Sequence, residues 1–354
     1  MAANSPGPVV LFGSGETAPR ARRVYEHVFA GLPKPVKVAV LETPAGFEPN
    51  SPMVAGRVLD FIKQRVQAFP LDLTLVPARK RGTANSPDNP AIVAPVADAD
   101  AIFLGPGSPT YAVRQLCDSV AWRTIVARHQ QGAALILASA ATVAAGCYAL
   151  PVYEIYKVGE DVHWTHGLDL FSAYGLSLVF VPHWNNNDGG TALDTSHCYM
   201  GQDRYDALVA LLPPGQRIVG IDEQTALIID LAAETCRVMG PGGVTIVGDG
   251  GVKQHAAGQS FDVRELGAFH LPTEPRQVPA DVLNALEAMR AVAAAEAVVA
   301  TTPPPEVLAL VSEREASRTR REWAAADALR AQVADLGWRV VDTPAGPVVE
   351  PLEK

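Results

Sequence analysis

Short, continuous apolar runs interleaved with segments of helix length constrain this chain more than any other feature of its sequence. The runs cover residues 9–12, 36–41, 71–76, 101–104, 134–138 and 178–181, and several end in Gly, Pro or a small-residue turn. Helix-length segments lie at 21–30, 53–68, 111–129 and 204–212. A strand covered on both faces shows no polar alternation, so this pattern predicts an α/β fold: a mostly parallel sheet with helices on both faces. After residue 218 the rhythm changes. Short runs at 217–221, 226–230, 236–239 and 244–247, separated by Gly-rich turns, predict an antiparallel extension.

A boundary is visible near residue 300, where an Ala-rich stretch runs into Thr301-Thr-Pro-Pro-Pro305. Three prolines cannot continue a helix and make a stiff spacer. The expected organisation is a main domain over 1–270, a helical and Pro-rich linker over 271–305, and a small helical C-terminal appendage over 306–354. Gly337 suits a helix end, and residues 338–341 with 348–349 suit a small hairpin. With 354 residues and 48% hydrophobic content, the chain can bury one large core and a minor one.

The net charge of −9 argues against a general nucleic-acid binder, which needs a basic footprint to displace counterions. The four cysteines, Cys117, Cys147, Cys198 and Cys236, are too scattered for a disulfide framework. The opening MAANSPGP lacks the basic and apolar regions of a signal peptide. Gly, Pro or charge interrupts every long apolar stretch. No membrane association is expected, and the expected location is cytoplasmic.

Four segments carry chemistry. In Ala134-Leu-Ile-Leu-Ala-Ser139-Ala-Ala-Thr-Val-Ala-Ala-Gly146 a buried strand runs straight into an Ala-rich helix, with Ser139 at the junction. A nucleophile there projects from the sheet's carboxyl edge, and the helix N-terminus favours an alkoxide or oxyanion. Serine is also a favoured N-cap, so the residue alone does not decide. Leu104-Gly-Pro-Gly-Ser-Pro109 follows another strand, and its Gly107 N–H can face a developing oxyanion. Val181-Pro-His183-Trp-Asn-Asn-Asn-Asp-Gly-Gly190 brings a histidine to the same edge. Gly220-Ile-Asp-Glu223-Gln-Thr-Ala ends a further strand with an acid able to orient an imidazole.

Taken together, residues 9–267 resemble the cyanophycinase and aspartyl-dipeptidase family of serine peptidases, whose fold is that of type 1 glutamine amidotransferases. The resemblance rests on Phe12-Gly-Ser-Gly-Glu16, Gly105-Pro-Gly-Ser108, Ser139-Ala140, Pro182-His183-Trp184 and Gly220-Ile-Asp-Glu223-Gln-Thr-Ala-Leu227. It implies Ser139 as nucleophile, His183 as general base and acid, and Glu223 as the residue orienting it. The N–H groups of Gly107 and Ala140 would form the oxyanion hole. Ser108, Asn185, Asn186 and Asp188 are the expected substrate contacts. No cofactor or metal is implied. The family usually has Gly two places before and after the serine, where this chain has Leu137 and Ala141.

A second resemblance covers about the last fifty residues. Glu313-Arg-Glu-Ala-Ser-Arg-Thr-Arg-Arg-Glu-Trp-Ala-Ala-Ala-Asp327-Ala-Leu-Arg330, with Gly337 and Asp342-Thr-Pro-Ala-Gly346, is similar to the C-terminal segment of cysteinyl-tRNA synthetases. The zinc-bound catalytic domain and ATP motifs of those enzymes are absent from the sequence. His163-Trp-Thr-His166 and His197-Cys198 lack an acidic or Cys partner at a matching interval, so a metal site is not expected.

The leading expectation is a serine hydrolase that cleaves an amide or isopeptide bond of a small peptide or amino-acid conjugate. The alternative is a non-catalytic amidotransferase-like binding module whose tail docks tRNA or a protein partner. The expected partners are accordingly a small-molecule or peptide substrate, tRNA or a protein at the C-terminal segment, and a second copy of the chain in a homodimer.

Overall fold

The computed structural model describes residues 5–248, 250–343 and 346–352. Pro344 and Ala345 of the tail motif, and the outermost residues of the two terminal segments, lie outside that set. The chain divides into two compact units, residues 1–286 and 287–354.

Among the described residues, fourteen strands build the first unit. They are β1 (Val9–Phe12), β2 (Val36–Leu41), β3 (Leu71–Val76), β4 (Ala101–Leu104), β5 (Ala134–Ala138), β6 (Tyr148–Ala149), β7 (Thr165–His166) and β8 (Leu178–Val181). Then come β9 (Arg217–Ile221), β10 (Ala226–Asp230), β11 (Thr235–Met239), β12 (Val244–Gly248), β13 (Gly251–His255) and β14 (Ser260–Asp262).

The main sheet has the order β14-β11-β10-β1-β5-β4-β2-β3. Pairings from β1 through β5, β4 and β2 to β3 are parallel, while β10, β11 and β14 add antiparallel strands beside β1. The α/β class is therefore as the run pattern predicts. The grouping of the strands differs. β8 leaves the parallel sheet and founds a second one, β13-β12-β9-β8-β6-β7, in which β8 and β9 are parallel and β12 is antiparallel to β9. The antiparallel extension is thus shared between two sheets.

Strand periodicity explains how the layers close. Val9, Leu11, Leu135 and Leu137 point to one face of the main sheet, where they pack with Trp122, Ile125 and second-sheet residues Leu178, Phe180, Val219 and Ile246. Val10, Phe12, Ile136 and Ala138 point to the other, against Tyr25, Phe29, Val58 and Ile62 of the helices Arg22–Ala30 and Ser51–Arg65. Fully burying one such Leu or Phe contributes about 1.5–3 kcal/mol, so every central position bears on the fold. Segment 111–129 forms two helices, Pro109–Leu116 and Val120–Gln130. They break at Asp118, whose φ is 58°, and Ser119 caps the second through its side chain.

The interior holds one titratable group with a pH consequence. His129 is fully buried, with Nε2 2.9 Å from the Tyr174 hydroxyl and Nδ1 without a partner among the described residues. Burial pushes its pKa from 6.5 down to about 4. The folded state thus holds a neutral ring that the unfolded chain protonates. Stability from this site is complete above pH 6.5 and drains as the pH falls toward 4, by up to ~3 kcal/mol. Thermal melts between pH 7 and pH 4 are expected to fall more gently for His129→Gln than for the wild type. Parallel slopes would remove His129 from the acid response.

In the second unit the helices Pro305–Thr319 and Trp323–Asp335 pack with a hairpin of β15 (Trp338–Thr343) and β16 (Gly346–Pro351) around Val307, Val311, Val333, Trp338 and Val340. Arg314, 4% exposed, donates from both terminal nitrogens to Asp342, at 3.0 and 2.9 Å, and Arg318 adds a bond at 2.5 Å. These two cations hold the Asp342 carboxyl well below the usual range. The arginines and the aspartate of the tail motif therefore tie a helix to the hairpin. Among the described residues, no helix is long and apolar enough to cross a membrane.

Candidate active site

Loops from the carboxyl ends of β4, β5 and β8 line one cleft, the usual place for function in an open α/β sheet, and those after β1 and β9 hydrogen-bond to the β8 loop. The loop after β5 is the sharpest. Ser139 has φ 51° and ψ −109°, and the helix Ala140–Ala144 starts at the next residue. The Thr142 hydroxyl lies 3.1 Å from the carbonyls of both Phe12 and Leu137, pinning this elbow to β1 and to its own strand.

His183 also has a positive φ, 51°. Its N–H donates to the Gly13 carbonyl at 3.1 Å, and its carbonyl accepts from Cys198 at 3.1 Å. Behind it, His197, Cys198 and Tyr199 make a left-handed turn, with φ of 54°, 60° and 69°. None is Gly, so each costs about 1–2 kcal/mol that the packing must hold. Packing is present: His197 stacks on Tyr205 at 4.2 Å and meets Trp184 edge-on at 4.3 Å. Gly220 makes room for that Trp184 ring, since a Cβ there would lie 2.2 Å from it.

These backbones bring three side chains into a line. Ser139 Oγ is 3.1 Å from His183 Nε2, and His183 Nδ1 is 2.9 Å from Glu223 Oε1. With Nδ1–H donating to the carboxylate, Nε2 is left free to accept the serine proton. His183 is 17% exposed and Glu223 32%, so the pair is sheltered yet reachable from the cleft.

Gly107 and Ala140 flank Ser139 in a cleft of about 540 Å³. Ala140 opens its helix, so its N–H has no intrahelical acceptor. Gly107 has φ 148°, and a Cβ on it would lie 1.9 Å from the Pro44 carbonyl oxygen. Asp188 lines the same cleft and accepts a hydrogen bond from the Tyr199 hydroxyl at 3.1 Å.

The other three expected substrate contacts are placed differently. Asn186 is 3% exposed, and its amide donates to Glu223 Oε1 at 2.9 Å. Asn185 Oδ1 accepts from the Glu223 N–H at 2.8 Å. Both side chains are turned onto the acid, which they anchor. Ser108 caps the helix Pro109–Leu116, its hydroxyl accepting from the Tyr111 N–H at 3.2 Å. A helix start and the residue hydrogen-bonded to His183 thus take up these polar groups, and Ser108 also lines a cavity of about 450 Å³.

Three neighbours carry no signal in the sequence. Tyr153, Tyr156 and Lys157 line the cleft from the segment around the π-helix Glu154–Val158. Glu16, from the first βα turn, is close enough to His183 to feel its charge. Burial pushes its carboxyl pKa up, and a backbone hydrogen bond and His183 partly offset this. Cys198 lines the cleft as well, but burial pushes its thiol up to about 12, which keeps it protonated and poorly nucleophilic. Leu137 and Ala141 belong to the main core with Leu11 and Ile221, so they do not narrow the cleft. His166 stacks on Tyr148, and no group of three His, Cys, Asp or Glu is set for a metal ion among the described residues.

No family model matches the chain. Among solved structures it is similar to a peptidase from an acI-B1 Actinobacterium, with a TM-score of 0.59 and 22% sequence identity over 73% of this chain and 98% of that one. The likeness is one of fold, the glutamine amidotransferase-like arrangement. Among curated proteins, a cysteine–tRNA ligase of Chlamydia felis is 49% identical over 49 residues, 14% of this chain. One from Rubrobacter xylanophilus is 52% identical over 46 residues, 13% of this chain. The chain spans about a tenth of the length of these ligases, 10% in each case.

Proposed function

We propose that this protein is a serine hydrolase of the peptidase class, cleaving an amide or isopeptide bond of a small peptide or amino-acid conjugate. The observation that carries the reading is the hydrogen-bonded line from Ser139 through His183 to Glu223 at the wall of a cleft. Ser139 Oγ attacks the carbonyl carbon while its proton passes to His183 Nε2. The N–H groups of Gly107 and Ala140 face the resulting oxyanion. The imidazolium, steadied by Glu223, gives its proton to the departing nitrogen as the C–N bond breaks. Water then attacks the acyl-enzyme by the same route, releasing the acid and restoring Ser139.

The left-handed turns at Ser139 and His183 are in keeping with this, because strained backbone gathers where geometry is enforced for chemistry. So is the fold, which a chain described as a peptidase shares. Leu137 and Ala141, where the chain departs from the family pattern, are buried in the core and leave Ser139 lining the cleft. The first test is intact-mass labelling with a fluorophosphonate, where one adduct on Ser139 is expected. A folded chain that takes no adduct would end the proposal.

The acyl group that fits best carries a carboxylate, as in the aspartyl and β-aspartyl substrates of the family that the sequence resembles. Lys157 brings a cation to the cleft, its Nζ lying 4.8 Å from the centre of the Tyr156 ring. Lys157→Met is expected to raise KM for a carboxylate-bearing acyl substrate about tenfold, a loss of ~1.4 kcal/mol, with kcat little changed. An unchanged KM would move the specificity elsewhere in the cleft.

A further inference from the structure

Glu223 is the member of the Ser139–His183–Glu223 line that most needs a second hold. Its side chain is long, unbranched and 32% exposed, so water competes with His183 for the carboxylate. The backbone of Glu223 is fastened on both sides. Its N–H donates to Asn185 Oδ1 at 2.8 Å, and its carbonyl accepts from the Thr225 hydroxyl at 3.1 Å. Neither bond decides where the carboxylate points.

Asn186 does. It is 3% exposed, and its amide nitrogen donates at 2.9 Å to Oε1, the same oxygen that lies 2.9 Å from His183 Nδ1. The orientation of the amide is settled by its other end, where Oδ1 accepts from the Asp188 N–H at 3.2 Å. A backbone donor at that end leaves the amide N–H groups for Glu223. The Asn186 backbone N–H donates to the His183 carbonyl at 3.2 Å. One buried residue therefore touches both the main chain of the base and the side chain of the acid.

The consequence is chemical. With Asn186 in place, Oε1 is held where the Nδ1–H meets it, and the ring keeps the tautomer whose Nε2 is bare. Released from Asn186, the carboxylate is free to turn towards water, and the ring loses the partner that selects this tautomer. Only a bare Nε2 accepts the Ser139 proton.

We infer that Asn186 is the positioning residue of this triad, holding Glu223 Oε1 on His183 Nδ1 so that Nε2 stays open to the serine proton. The role rests on the hydrolase reading and adds a further member to the hydrogen-bonded line.

The test is the rate at which Ser139 takes up a fluorophosphonate, followed by intact mass on the full chain. That rate reads serine activation without a known substrate. Asn186→Leu, close in volume and without a donor, is expected to slow labelling about ten- to a hundredfold, the range to which a lost charge-assisted hydrogen bond corresponds. In a Glu223→Ala background the same substitution should change the rate by less than about twofold, since the group it acts through is gone. A residue that only supports the fold would cost as much in either background. The downfield proton resonance of the His183–Glu223 bond gives a second readout, expected to shift or broaden in Asn186→Leu. Asn186→Ala carries the same comparison if the leucine variant does not fold. An equal loss with and without Glu223 would overturn the role. A chain that labels at Ser139 equally fast with and without Asn186 loses this role alone. A wild type that takes no adduct ends the hydrolase reading, and the proton resonance then decides whether Asn186 holds the pair: a signal indifferent to Asn186→Leu refutes it.

Discussion

Ser139→Ala is expected to take up no fluorophosphonate and to lose hydrolysis by three to six orders of magnitude, while its melting temperature stays within about 2 °C of the wild type. The separation follows from where the hydroxyl sits. Among the described residues the hydroxyl's hydrogen bond is to His183, whereas the Thr142 hydroxyl and the Ser139 backbone N–H, which an alanine keeps, tie the elbow to its neighbours. Removing Oγ therefore deletes the nucleophile and spares the bonds that shape the turn. The residue left in its place must still adopt a φ of 51°, a strain that alanine and serine bear about equally. Hydrolysis surviving in this variant would show that the bond is broken by another group, and the mechanism would fall. A large drop in melting temperature would instead make Ser139 a structural residue.

Gly107→Ala is the second large effect, and it acts through the backbone. The new Cβ would lie 1.9 Å from the Pro44 carbonyl oxygen, far inside contact distance, at a φ of 148° that suits glycine. Both neighbours are main chain, so no side chain can swing aside. Ser108 N–H also donates to that Pro44 carbonyl at 2.9 Å, so one loop must give way and carry the Gly107 N–H with it. Losing one oxyanion donor costs about 10²–10³ in kcat, and a stability loss of several kcal/mol should accompany it. Gly56→Ala is the control: it lies inside the helix Ser51–Arg65, where a Cβ meets nothing within 4 Å. There the substitution should add about 0.5–1 kcal/mol of stability and leave kcat alone. If Gly107→Ala kept full activity, the loop would have no part in the reaction.

Much of this was open to reading from residue order. Strands such as 134–138 announce themselves because both faces are covered, which leaves unbroken apolar runs. The positions of Ser139, His183 and Glu223 follow from that reading, each standing just past the end of such a run. The split into two sheets did not show, because β8 is buried by the same residue types as β5, and partner choice leaves no mark on a single run. The break at Asp118 was hidden inside a helical pattern. Asn185 and Asn186 looked like ligand donors, but their partner, Glu223, lies 37 or more residues further on. The left-handed turn of His197, Cys198 and Tyr199 contains no glycine to signal it, and packing of Trp184 and Tyr205 on His197 sustains it.

The pairing of β10 with β1 has a consequence for the order of synthesis. β1 leaves the ribosome long before its antiparallel neighbour, which runs from Ala226 to Asp230. Glu223 sits in the turn that precedes that strand, with its neighbour Gln224 donating to Ser14 Oγ at 3.1 Å. On the proposed mechanism, a ribosome-bound fragment that ends between His183 and Glu223 lacks the acid that orients the imidazole. Reactivity switches on late, when the chain's own later portion returns to its first strand. On the proposed mechanism, a growing polypeptide of this design is guarded from its own chemistry until β10 has returned to β1.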